Sequence, residues 1–252
     1  MILKKGSEGA EVRTVTAMLA QLELLPKPTG TFDAEVARAV SRFQAQHVDS
    51  RGEPLLVDGI VGPLTRRALE EATGRRPATE ASRPRVQMPT GGSPLARAAL
   101  EVALREFERG AGESGRDNRG PDVERYLDGR VPPGSDWCAG FVSHCYREGA
   151  RAAGVPMPFE YSVGARAILA QFRRKGWQHV ASHQSPPAPG DVIVWWRRAL
   201  SDWRGHIGLV HSYEDGIVRT IEGNHGAFPC RVNTFQYVLG RIDRLLGFGR
   251  VP

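Results

Sequence analysis

Between Gly74 and Ser93 the chain reads GRRPATEASRPRVQMPTGGS, a run of Pro, Gly, Ser, Thr and Arg without apolar periodicity, on either side of which helical and strand-like patterns resume. Such a stretch cannot bury a hydrophobic face, so it divides the chain into two folding units. The predicted boundaries are residues 1–73, a linker over 74–93, and residues 94–252. A length of 252 residues with 40% hydrophobic and 25% charged side chains supports two ordinary globular cores.

The N-terminal part carries Val12, Val15, Leu19 and Leu22 at helical spacing, then Val36, Ala39, Val40 and Phe43, and a third helix from Pro63 through Leu69. Gly30-Thr-Phe-Asp33 and Val57-Asp-Gly-Ile-Val-Gly-Pro63 are two related turns that each precede a helix. In the C-terminal part Ser93-Pro94 reads as an N-cap with proline at the first helical position. It opens a helix through Leu100, Leu104 and Phe107 that stops at Gly110.

The formal charge of +6 divides into −1 for residues 1–73, +3 for 74–93 and +4 for the remainder. A modest positive balance fits an anionic partner without naming it. No nucleic-acid-binding motif accompanies the charge, so nucleic acid is not an expected partner. No apolar run follows Lys4 and Lys5, so the reading predicts no signal peptide, and no stretch approaches the ~20 residues that span a bilayer, which predicts no membrane insertion.

Cys138, Cys145 and Cys230 lack zinc-ligand spacing, and no metal or cofactor is expected. The segment from Ser135 to Gly149 reads as a helix capped by Ser135 or Asp136 and ended by glycine, which puts Cys138 in its first turn. There the unpaired amides and the positive end of the helix dipole favour a thiolate and can hold an oxyanion. Cys145, two turns on among Phe141, Val142 and Tyr146, reads as a core residue.

Three strands follow: Pro189–Trp196, Gly205–His211 and Ile217–Asn224, the last two joined by the tight turn Glu214-Asp-Gly216. If residue numbers across that hairpin sum to about 430, His206 lies opposite Asn224 and diagonal to Glu222 on one sheet face. An imidazole base needs a polar group behind its far nitrogen, and the hairpin offers two. Asn224 is the expected direct partner, because its neutral oxygen accepts a bond without adding a full charge. His211, of opposite parity, should face away. His144 and His225 stay open. Trp195, Trp196 and Trp203 are candidates for a groove wall, with buried packing expected for at least one.

The segments "GSEGAEVRTVTAMLAQL", "GTFDAEVARAVSRFQ" and "VDGIVGPLTRRAL", over about residues 3–72, resemble the peptidoglycan-binding type 1 domain, with a lengthened loop from Arg51 to Leu56. The segments "DWCAGFVSHCY", "PGDVIVWW", "GHIGLVHSY" and "IEGN", over about residues 95–250, resemble the CHAP family of cysteine amidohydrolases and peptidases. The resemblance implies an α+β protein: a small three-helix domain followed by a papain-like domain with helices against an antiparallel sheet. It makes Cys138 the nucleophile, His206 the general base, and Glu222 and Asn224 the groups that orient the imidazole. Some CHAP domains bind calcium near the nucleophile, but Gly112-Glu-Ser-Gly-Arg-Asp-Asn-Arg119 lacks alternating oxygen ligands.

The implied activity is hydrolysis of a peptidoglycan amide bond through a thioester, as N-acetylmuramoyl-L-alanine amidase or as stem-peptide or cross-bridge endopeptidase. The competing reading is a catalytically inactive wall-binding protein. The expected partner is bacterial peptidoglycan, and the chain is expected to be a monomer. Synthesis in the cytoplasm and action on the wall fit an endolysin released by lysis or an antibacterial effector delivered by specialised secretion. The effector would need an immunity protein in the producer.

Overall fold

The computed structural model describes residues 2–50, 53–75, 86–226 and 229–252. The chain forms two compact units, Met1–Arg85 and Val86–Pro252. Half of the expected linker, residues 76–85, and the first two residues of the lengthened loop, Arg51 and Gly52, lie outside the described residues.

In the first unit, helices α1 (Ala10–Gln21), α2 (Ala34–Gln44) and α3 (Pro63–Ala72) enclose a core of Val12, Val15, Leu19, Val36, Phe43 and Leu69, beside a short extended segment β1 (Leu56–Val57). Asp33 caps α2 by accepting from the amides of Glu35 and Val36, and Pro63 starts α3 at the first helical turn. The buried side chain of Gln44 ties α2 to the turn before α3. Its Nε2 donates to Asp58 Oδ1 (2.8 Å) and Ile60 O (2.9 Å), while Oε1 accepts from the amides of Asp58 (3.1 Å) and Gly59 (2.9 Å). Gly59 has φ +70, and a Cβ there would stand 3.1 Å from Ala37 O, so glycine suits both the turn and the approach to α2.

The second unit is α+β. Its helices are α4 (Pro94–Glu108), α5 (Pro121–Leu127), α6 (Cys138–Ala153) and α7 (Ala165–Arg174). Its strands are β2 (Gln178–His179), β3 (Val192–Trp196), β4 (Gly205–Glu214), β5 (Ile217–Glu222), β6 (Asn233–Val238) and β7 (Leu245–Gly249). Their order is β6-β5-β4-β3-β7-β2, with every neighbouring pair antiparallel. One core joins Leu100, Phe107, Phe141 and Cys145 of the helices to Val192, Val194, Ile207, Leu209 and Ile221 of the sheet. Strand β3, with both faces covered, is therefore a continuous apolar run, Val-Ile-Val-Trp-Trp, while β4 interrupts its apolar residues with His206 and His211.

This unit starts at Val86 rather than at Pro94. The segment before α4, assigned to the linker by its composition, is held by side chains of the fold: Val86 and Met88 pack on the core, His211 Nε2 donates to Gln87 O (2.8 Å), and Arg97 donates to Pro89 O (2.7 Å). Helix α4 begins as the Ser93-Pro94 pair predicts, with Ser93 Oγ accepting from the Ala96 amide.

Helix α6 departs from expectation at both ends. Neither Ser135 nor Asp136 caps it; the N-cap is Trp137, without a side-chain bond. Ser135 Oγ donates instead to Pro132 O (2.7 Å), and Asp136 faces Arg197. Gly149 does not end the helix. A Cβ there would come 2.6 Å from the Ala99 amide nitrogen, so this glycine serves the close packing of α4 on α6. The terminator is Gly154, in the left-handed conformation with φ 67.

Candidate functional site

Cys138 is the first residue of α6, where the helix leaves its leading amides without intrahelical acceptors. The thiol is buried, which pushes its pKa up; the Arg197 charge opposes that rise, Asp136 adds to it, and the backbone amides of Ile207 and Ala139 lower it again. Ile207 directly follows His206 on β4, so the cysteine lies beside the strand that carries the histidine. Cys145 is wholly buried and burial holds its thiol well above the ordinary value, while Cys230 is pushed up to about 12 by burial and by Glu113. All three cysteines are free.

His206 and Glu222 meet across the β4–β5 hairpin. The turn is the two-residue Asp215-Gly216 loop, with φ 48 and 81, the positive pair that twists a hairpin correctly. Near the turn Glu214 pairs with Ile217 and Ser212 with Arg219; past an irregularity at His211, Val210 pairs with Thr220 and Leu209 with Ile221. The register assumed from the sequence holds only beyond that bulge, which restores the face that a one-residue slip would have exchanged. His211 takes no part in the cluster. Its ring bonds to Gln87 O and Ser212 Oγ.

His206 Nε2 donates to Glu222 Oε2 at 2.7 Å. Asn224, the expected partner, does not. Strand β5 ends at Glu222, Gly223 sits against the Trp137 ring, and Asn224 takes φ 57, so strand alternation no longer governs its side chain. Asn224 Nδ2 donates to Asn118 Oδ1, and its own Oδ1 is buried with no partner among the described residues. It fixes the Gly112–Arg119 loop to the end of β5 rather than the imidazole. In that loop Glu113 accepts from Trp137 Nε1 (3.0 Å) and the Cys230 amide (2.8 Å). Its carboxylate is thus spent on the chain itself.

Two further participants join them: His225, which the sequence left open, and Arg197, which it did not single out. His225 Nδ1 donates to the same Glu222 Oε2, also at 2.7 Å, with its ring edge-on to His206 (4.8 Å) and stacked on Phe235 (4.6 Å). Arg197 Nη2 stands 3.2 Å from His206 Nδ1, and its Nη1 is 3.4 Å from Asp136 Oδ2. His225 follows Glu222 by three residues, just past the end of the strand, and that spacing is its local signal. Arg197 carries no local signal.

Glu222 is fully buried and accepts four bonds, its Oε1 taking Thr220 Oγ1 and Tyr237 Oη (3.0 Å). Burial alone would raise its pKa, but the charge of His225 and the bonds from both imidazoles hold it well below the ordinary carboxylate range. Burial lowers His206 to about 4 against the opposing pull of Glu222. Its resting form is therefore the neutral ring with the proton on Nε2 and a lone pair on Nδ1, because a guanidinium only donates.

His206, Glu222 and His225 place their ligand atoms within 4.8 Å of one another and are the described residues that could surround a metal ion. An ion on Nε2 of His206 would move the ring proton to Nδ1, against the N–H of Arg197. That conflict makes the cluster a proton-holding set by its chemistry. His144, buried against Tyr126 with its pKa lowered by burial to about 4, stands apart from this cluster.

The three tryptophans divide. Trp195 is buried between His206 and Tyr237, with ring centres 5.4 Å from each. Trp196 lies under Arg244, and Trp203 is 77% exposed on the β3–β4 loop, the loop that also carries Arg197.

Residues 130–224 match the sequence model of the CHAP domain, and residues 8–69 match that of the putative peptidoglycan binding domain. Along the chain the peptidoglycan-binding match comes first and the CHAP match follows it. No curated protein and no solved structure matches it. The CHAP match spans Cys138, His206, Glu222 and Asn224, and the CHAP domain marks cysteine- and histidine-dependent amidohydrolases and peptidases. Together the two domains support a peptidoglycan hydrolase with peptidoglycan as the binding target. No helix among the described residues is long and apolar enough to cross a membrane.

Proposed function

We propose that the second unit hydrolyses an amide bond of peptidoglycan through a thioester on Cys138, in a papain-like arrangement of a cysteine-bearing helix against an antiparallel sheet, while the first unit holds the wall. The observation that carries this reading is the meeting of the α6 N-terminus with the His206–Glu222 pair. Cys138 Sγ attacks the carbonyl carbon as its proton passes to His206 Nδ1, and Glu222 stabilises the imidazolium through Nε2–H. The oxyanion takes bonds from amides at the start of α6. Collapse expels the amine, which takes the proton from His206, and leaves the thioester. Water then gives its proton to His206, attacks the acyl carbon and expels the thiolate, which recovers that proton.

The exposed Trp203, on the loop that also carries Arg197, suits a substrate with sugar or peptide surface to stack on it. The nucleophilic apparatus serves the N-acetylmuramoyl-L-alanine bond or a stem-peptide or cross-bridge bond. Delivery as an endolysin or as an injected effector, the latter with an immunity protein, belongs to the same proposal.

Digestion of purified sacculi, with mass spectrometry of the new amine termini, tests the reaction and identifies the bond. Cys138→Ala is expected to abolish release and Cys145→Ala to retain it. Release by a folded Cys138→Ala variant would remove the central claim. A wild-type protein that binds sacculi and releases nothing would establish the inactive wall-binding alternative.

A further inference from the structure

His206 has one lone pair with which to accept the proton of Cys138, and in the resting site that lone pair is occupied. The Nε2 proton is committed to Glu222, so Nδ1 is the acceptor, and Arg197 Nη2 donates to it from 3.2 Å. The guanidinium is held loosely in this position. Its other contacts, with Asp136 Oδ2 and Asn224 O, are both 3.4 Å long, and neither is the bidentate carboxylate pairing that a guanidinium favours. Arg197 is 34% exposed at its side chain and Asp136 56%. An incoming carboxylate can therefore reach the guanidinium and displace a weakly engaged neighbour. Arg197 Nη2 lies 3.2 Å from the very nitrogen that is to take the thiol proton, so whatever the guanidinium captures is held beside the reacting pair.

We infer that Arg197 reads a carboxylate on the substrate next to the scissile amide, and that capturing it draws the guanidinium off His206 Nδ1 and frees the base. Arg197 is then a specificity-determining residue that keeps the imidazole occupied until an anionic substrate arrives. The identity of the carboxylate, on a peptidoglycan stem peptide, rests on the function proposed above; the need for one rests on the geometry around Nδ1.

Alkylation of Cys138 tests this without any wall material. Iodoacetate carries the carboxylate and iodoacetamide replaces it with a neutral amide, so the ratio of their rates reports anion capture; Cys138→Ala supplies the background from Cys145 and Cys230. Arg197→Gln is expected to lower the iodoacetate-to-iodoacetamide ratio by about tenfold, the order of one charge-assisted bond, and Arg197→Lys to keep part of it. A merely structural role would slow both reagents equally and leave the ratio unchanged, which would overturn the proposal. In the wild type, added acetate at constant ionic strength should accelerate iodoacetamide labelling and slow iodoacetate labelling. If acetate has neither effect, the base is not gated in this way. A lowered ratio in a protein that leaves sacculi intact would sustain the carboxylate reading and sink the peptidoglycan one. Sacculus cleavage with an unchanged ratio would do the reverse.

Discussion

Gln44 in the first unit and Glu222 in the second are both buried polar side chains with several partners, and the two differ in what they hold. Gln44 bonds mainly to a turn: two backbone amides, the Ile60 carbonyl and the Asp58 carboxylate. Nothing in its own amide gains or loses a proton, so this knot has one state. Glu222 is a carboxylate that accepts from two imidazoles, a hydroxyl and a phenol. Its partners titrate, so its charge is a means of controlling where protons reside. Both satisfy buried polar atoms equally well. Only the second can do chemistry, and the difference lies in the partners rather than in the degree of burial.

The strongest way to break this comparison is Glu222→Gln, which makes the second knot neutral like the first. The amide can keep one bond to an imidazole but cannot stabilise the imidazolium by charge. Sacculus hydrolysis is expected to fall roughly a hundredfold or more, with circular dichroism unchanged. Asn224→Ala, assayed alongside, should stay within about threefold, since Asn224 bonds to Asn118 and not to His206. The opposite order of effects would return the orienting role to Asn224.

Gln44→Ala breaks the other knot. It strands the amides of Asp58 and Gly59 and the Ile60 carbonyl, at a cost of about 2–4 kcal/mol to the first unit. Thermal unfolding should show an earlier transition and sedimentation with sacculi should weaken, while the rate of Cys138 alkylation holds. A slowed alkylation would mean that the first unit supports the reactive cysteine.

The sequence exposes what is local and hides what is not. Ser93-Pro94, the Asp33 cap, the Asp215-Gly216 turn and the start of α6 near Cys138 depend on neighbouring residues, and each is legible in the chain. Gly149 was misread because its reason is the backbone of α4, about fifty residues away in sequence. Asp136 looked like a cap because Arg197, its actual partner, arrives from the β3–β4 loop. The bulge at His211 carries no composition signal, yet it decides which residues share the face of His206. Asn224 was overvalued for a related reason: alternation predicts side-chain direction only while the strand lasts, and β5 stops two residues earlier.

The smallest expected effect, and the finest test of how Glu222 distributes its charge, comes from His225. It donates to the same oxygen as His206 and is 27% exposed at its side chain, so it connects a buried carboxylate to solvent. Burial is the main cause that lowers His206 to about 4, but the charge of His225 lowers it further. His225→Gln keeps an amide donor within reach of Glu222 and removes the imidazole charge, so the His206 pKa should rise. The base works in its neutral form, which is present above its pKa; raising that pKa moves the acid limb of Cys138 alkylation to higher pH. A displacement of about half a unit to one unit is expected, with the rate at neutral pH within about threefold of wild type. A limb displaced to lower pH would mean that His225 supports the His206 imidazolium instead of opposing it. An unmoved limb would mean that the second imidazole contributes packing against Phe235 and no charge to the reaction.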